Sequence, residues 1–147
     1  MVDLSEPPRH EDTKSWMTSL VPIPAETELV AKQVVDAVFR VHSTLGPGLL
    51  ESVYETCLCH ELSKRSVSFR QQAILPIEYD SVTIDSGLRL DLEVEECLIV
   101  ELKAVEVIAP IHSAQLLTYL KLAGKRLGLL VNFNSVLIKD GIKRVAL

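Results

Sequence analysis

Three residues stand out for the chemistry they could do together: Asp91, Glu101 and Lys103. Glu101 and Lys103 lie two apart in an apolar stretch, CLIVELKAV (97–105), whose alternation reads as a β-strand. Side chains two apart on a strand leave the same face. Glu101 and Lys103 therefore project together, while Val100 and Leu102 turn into packing. Asp91 falls on the preceding strand of the same expected hairpin. Cross-strand neighbours lie about 5 Å apart, so Asp91 can meet Glu101. Two carboxylates at one point repel each other and lose solvation unless a cation sits between them. Mg2+ or Mn2+ suits such a pair, taking one or two carboxylates and completing its shell with water. The backbone carbonyl of Leu102 would add an oxygen. Such an ion polarises a phosphodiester and activates water. Lys103 would orient that water or stabilise the negative charge that forms. A lone E-x-K on a solvated sheet is an ordinary salt-bridge ladder; the apolar setting is what favours a site here.

Other constellations surround this one. Gly48-x-x-Glu51-x-x-Tyr54 opens a predicted helix. At about 100° per residue, Glu51 and Tyr54 project about 60° apart. Glu51 is either a further acidic ligand or simply an acid that favours a helix N-terminus. Gln115 and Tyr119 are four apart on another helix and share a face. They could touch a phosphate, a base or the lysine, or form an ordinary hydrogen-bonded pair. Cys57-x-Cys59-His60 hints at a soft metal, but on a helix the two thiols point about 200° apart. Packing cysteines are the better reading, with Cys97 alone elsewhere. His112 is close enough in sequence to Gln115 to approach the site, and His42 has no nameable partner. No phosphate-binding loop, dinucleotide fingerprint or nucleophile elbow is present.

The elements that must position these groups follow from periodicity. Helices are expected over 26–44, ended by Gly46-Pro47-Gly48, and over 49–65. Strand character covers 73–79 and 81–84, with a turn near Asp80. Leu88, Leu90, Leu92 and Val94 then alternate with Arg89, Asp91, Glu93 and Glu95, giving a half-buried strand with one acidic face. Glu95-Glu96 suits a tight turn into 98–105. Pro110 opens a helix over 111–123 and Gly124 closes it. LGLLVNF (127–133) reads as a buried strand. Residues 136–147 read as a terminal hairpin turning at Asp140-Gly141. The order implies a mixed sheet flanked by helices.

A chain of 147 residues is one domain in size, with 48% hydrophobic and 24% charged residues, as in soluble globular proteins. Residues 1–25, broken by Pro7, Pro8, Pro22 and Pro24, read as a flexible arm before a domain over 26–147. The polar start is no signal peptide and no apolar run suits a membrane span, so a cytoplasmic location is expected. Three cysteines argue against a disulfide framework. The net charge of −5 is uneven: residues 1–30 hold six acids against two bases, whereas 121–147 hold six bases against Asp140 alone. That basic end is either a rim for a phosphate backbone or a solvated surface.

GPGLLESVYE (46–55), RLDLEVEECLIVELKAV (89–105), HSAQLLTYLKLAGKRLGLLVNF (112–133) and the ending IKDGIKRVAL resemble, in that order, the GxxExxY protein family. That family is similar to the PD-(D/E)XK nuclease superfamily, in its branch with a Q-x-x-x-Y motif. The resemblance covers about 26–147. It implies a three-layer α/β/α restriction-endonuclease-like core with a mixed central sheet. It also implies a metal-dependent nuclease that hydrolyses phosphodiester bonds of DNA or RNA with Mg2+ or Mn2+. Asp91 would match the metal-binding acid, Glu101 and Lys103 the E-x-K pair, Glu51 the extra acid of the N-terminal helix, and Gln115 and Tyr119 the Q-x-x-x-Y motif. Nucleic acid would be the partner, and a homodimer is compatible because a small nuclease domain often grips a duplex with two copies. The acidic balance keeps a second reading open: a non-catalytic module on the same fold that binds nucleic acid or protein.

Overall fold

The computed structural model describes residues 21–147. Most of the arm expected over 1–25 lies outside them. Two helices, α1 (Ala25–Leu45) and α2 (Glu51–Lys64), precede three strands, β1 (Phe69–Tyr79), β2 (Val82–Val94) and β3 (Leu98–Lys103). Helix α3 (Pro110–Ala123), strand β4 (Leu127–Asn132), a 3-10 turn (Ile138–Gly141) and β5 (Ile142–Ala146) complete the chain. The five strands lie in the order β1-β2-β3-β4-β5. β3 and β4 are parallel, joined through α3, and the other pairs are antiparallel. Helices α1 and α2 cover one face and α3 the other, which gives the expected three-layer α/β/α core with a mixed sheet.

Each layer follows from where apolar side chains recur. In α1, Ala31, Val34, Ala37, Val38 and Val41 form the buried stripe, at the spacing of one helical face. They pack with Leu58 and Leu62 of α2 against Leu98, Val100, Leu102, Leu129 and Val131. On the other face Ile99 and Leu130 meet Leu116 and Leu120 of α3. A side chain at Gly128 would come within 2.9 Å of Leu116, so glycine is what lets α3 lie close on β4. β4 is buried along its whole length, as a strand covered on both faces should be.

Two expectations need correction. The end of the chain is no separate hairpin: Ile138–Gly141 is a 3-10 turn, and β5 returns antiparallel to β4. More important, β2 does not keep one acidic face. Leu88 and Leu90 pack under α3, whereas Leu92 and Val94 pack under α1 and α2. β1 changes face with it, from Phe69 on the α1/α2 side to Ala73, Leu75 and Ile77 on the α3 side. Gln71 pairs with Leu92 and Ala73 with Leu90, but Gln72 and Asp91 between them form no ladder pair. Gln72 has a left-handed φ of 52°, which a glutamine adopts at some cost. The β1–β2 ribbon therefore turns over at Gln72 and Asp91. Only Leu92, Glu93 and Val94 pair with β3, so the two strands separate at Asp91.

The loop before α2 is closed by Tyr54. Its hydroxyl donates to the Gly46 carbonyl at 2.6 Å and accepts from the Leu49 amide at 3.1 Å. Its ring stacks on Phe133, centroids 4.5 Å apart. Tyr54 is fully buried and sets where α2 begins, which places Glu51 in the first turn. Tyr54→Phe keeps the stack and strands two backbone groups. We expect it to cost about 1–3 kcal/mol in denaturant unfolding; an unchanged midpoint would contradict this role.

Candidate functional site

At the point where β2 leaves β3, side chains take over from the ladder. The Asp91 amide donates to Glu101 Oε2 at 3.0 Å, and the Leu102 amide donates to Asp91 Oδ2 at 2.8 Å. Each carboxylate accepts the bond that a strand carbonyl would have accepted. Each acid is thereby fixed against the backbone of the opposite strand, with Glu101 only 6% exposed.

Burial raises both carboxyls. Glu101 is pushed up to about 8, by desolvation first and the charge of Asp91 second, against the opposing pull of the Asp91 amide and Lys103. Asp91 is also raised, chiefly by desolvation and further by Glu55; the Leu102 amide, Lys103 and Gln72 hold it down. Lys103 leaves the same face of β3 as Glu101 and makes no ion pair among the described residues.

Glu51 reaches this cluster from α2. Its carboxyl is raised by desolvation, then by Asp91 and Glu55, and lowered by Lys103. Tyr119 reaches it from α3. Its phenol is raised by desolvation and by the charges of Glu101 and Asp91, so it stays protonated and able to donate. Gln115, one turn earlier on α3, is exposed and makes no hydrogen bond to these groups. Asp91, Glu101, Lys103, Glu51 and Tyr119 therefore lie within electrostatic reach of one another; Gln115 is not bonded to them.

Sequence reasoning missed three residues here. Glu55 is 8% exposed, and its carboxylate accepts from Gln71 Nε2 at 2.7 Å and from Gln72 Nε2 at 3.1 Å. Gln72 Nε2 also lies 3.5 Å from Asp91 Oδ1. The available signal was the four-residue spacing of Glu51 and Glu55, which stacks them on one helical face.

Among the described residues no three His, Cys, Asp or Glu side chains form a ready-made metal cage. The donor set still suits a hard divalent ion, because Mg2+ is commonly held by one or two carboxylates with water for the rest. Asp91 Oδ1 has only a long contact to Gln72, so the pair keeps oxygen lone pairs toward the gap. A soft-metal reading of Cys57, Cys59 and His60 has no such support. All three cysteines are free, and burial raises the Cys59 thiol to about 11. His112 has a structural partner: its Nδ1 accepts from the Ala109 amide at 3.1 Å and so caps α3.

The basic end of the chain is partly spent inside the molecule. Lys125 pairs with Glu93 at 3.4 Å and donates to the Glu96 carbonyl. Arg126 donates to the carbonyls of Leu147 and Val21, and Arg144 binds Glu28. Lys121, Lys139 and Lys143 are exposed and have no ion pair among the described residues. Among the described residues no helix is long and apolar enough to cross a membrane.

A family model described as the PD-(D/E)XK nuclease superfamily matches residues 28–145. No curated protein and no solved structure matches the chain.

The raised carboxyl of Glu101 has a consequence for stability. An acid whose folded value exceeds its ordinary 4.5 holds its proton more tightly when folded. Stability is then full below the ordinary value and falls as pH rises through the folded one. Free of divalent cations, the protein should lose on the order of a few kcal/mol between about pH 5 and about pH 8. Glu101→Gln should remove most of that slope in thermal melts. A wild-type melting temperature that rises over the interval would contradict the assignment.

Proposed function

Since the chain belongs to the PD-(D/E)XK nuclease superfamily, we propose that it is a Mg2+- or Mn2+-dependent nuclease that hydrolyses phosphodiester bonds of DNA or RNA. One observation carries the reading. Glu101 accepts the Asp91 amide and Asp91 accepts the Leu102 amide, leaving one buried and one half-buried carboxylate beside Lys103 at the open end of a ladder. That arrangement is costly for stability alone, and it suits a cation and a phosphate. The finer placement, in the GxxExxY family, is supported by Gly48, Glu51 and Tyr54 in one motif, followed by Gln115 and Tyr119.

Asp91, Glu101 and the Leu102 carbonyl would hold the ion, with Glu51 as an outer acid holding water. When bound, the ion would supply Lewis acidity toward the phosphate and lower the pKa of water. The chain's own residues do the rest. Lys103 brings the cluster's positive charge to the face where negative charge develops on the phosphoryl oxygens. Tyr119 donates its phenolic proton as a hydrogen bond to a phosphate oxygen. Gln115, exposed one turn before Tyr119 on α3, would offer an amide to the sugar–phosphate backbone or a base.

The test is cleavage of single-stranded DNA, duplex DNA, RNA and a dinucleotide, with and without Mn2+. We expect cleavage of at least one substrate that EDTA abolishes. Glu101→Gln and Lys103→Met should each lower kcat by about 100-fold or more while the protein stays folded by circular dichroism. Cleavage that persists in either folded variant would place the centre elsewhere. A wild type that cleaves nothing and ignores Mn2+ would instead support a non-catalytic binding module.

A further inference from the structure

Lys103 ends its strand at a weak place. β3 loses β2 beyond Val100, so Glu101, Leu102 and Lys103 are held by backbone pairing on one side only, against Leu130, Val131 and Asn132 of β4. β4 itself stops at Asn132. With the ladder finished, the chain leaving Lys103 would be free to fray, and the direction of the lysine side chain with it.

A side chain continues the ladder instead. Asn132 Oδ1 accepts from the Val105 amide at 3.0 Å, and Asn132 Nδ2 donates to the Val105 carbonyl at 2.9 Å. One carboxamide offers the same donor and acceptor as a peptide unit, so it pairs with residue 105 as a strand residue would. The Phe133 amide donates to the Lys103 carbonyl at 2.9 Å. The backbone is thus pinned at Lys103 and again two residues on. Asn132 is 4% exposed, which strengthens the pair, because a buried amide left unbonded is expensive. Asn134 supports the clasp from outside: its amide donates to Asn132 Oδ1 at 3.3 Å, and its Nδ2 lies 3.4 Å from the Val105 carbonyl.

We infer that Asn132 is a positioning residue for Lys103, acting by a peptide-mimicking clasp on Val105 that fixes how β3 leaves the site. The inference rests on Lys103 belonging to the reactive centre. Aspartate cannot replace asparagine here, since it would set an oxygen against the Val105 carbonyl. Serine is too short to make both bonds.

The test compares wild type, Asn132→Ser and Asn134→Ala. In Asn132→Ser the Val105 amide should exchange with solvent at least about 10-fold faster. The Leu102 amide, which donates to Asp91, should keep its protection. NMR order parameters of the Lys103 side chain should fall. In a protein that cleaves, kcat should drop about 10- to 100-fold, with KM and Mn2+ affinity within about 2-fold. Asn134→Ala should leave all of these near wild type. Faster exchange at Val105 with unchanged Lys103 order and kcat would reduce the clasp to a loop anchor and overturn the inference. If Asn132→Ser fails to fold, exchange on the wild type decides: a Val105 amide as protected as that of Phe133 supports the clasp, and rapid exchange sinks it. If the wild type cleaves nothing, the nuclease reading falls, and Lys103 order in Asn132→Ser still decides the positioning claim.

Discussion

Two carboxylates close the β2–β3 ladder, Glu101 accepting the Asp91 amide and Asp91 the Leu102 amide, and much of the molecule is arranged around that exchange. A regular hairpin would have spent those amides on carbonyls and kept the strands together. Here the β1–β2 ribbon turns over at Gln72 and Asp91, β2 swings away from β3, and the acids fill the gap. The turnover explains how groups from opposite faces of one sheet meet. Glu51 and Glu55 come from α2 on one side, and Tyr119 comes from α3 on the other.

The cluster is electrically unbalanced. Asp91, Glu101, Glu51 and Glu55 bring four acids to one cation, Lys103. Glu55 is satisfied by the amides of Gln71 and Gln72 rather than by a charge. Buried like charges shift toward neutrality or recruit a counter-ion, and the raised values of Asp91, Glu101 and Glu51 show the first response. Elsewhere some acids do find a cation: Glu93 meets Arg70 and Lys125, and Glu28 meets Arg144. Under the proposed function, a bound cation would be the other response.

Much of this was legible in the sequence because it is local. The stripe of α1, the start of α3 at Pro110 and its end at Gly124, and the alternation of 98–103 all follow from short-range periodicity and turn chemistry. So does the shared face of Glu101 and Lys103. What escaped is non-local. Leu88, Leu90, Leu92 and Val94 alternate perfectly in sequence, and no period reveals that the ribbon turns over between Leu90 and Leu92. The glutamines that hold Glu55 lie sixteen and seventeen residues away. The basic end looked available because its partners, Glu28, Glu93 and the carbonyls of Val21 and Leu147, are brought to it only by the fold. Asn132 carried no signal at all, since its work is to imitate backbone.

The proposed function puts a cation in the gap between Asp91 and Glu101. A crystal soaked in Mn2+ and measured at the manganese absorption edge tests it most directly. Anomalous density bridging the two carboxylates is expected in the wild type, with its loss in Glu101→Gln. Well-ordered, unbridged Asp91 and Glu101 carboxylates in a Mn2+-soaked crystal, or density bound at another place, would contradict it.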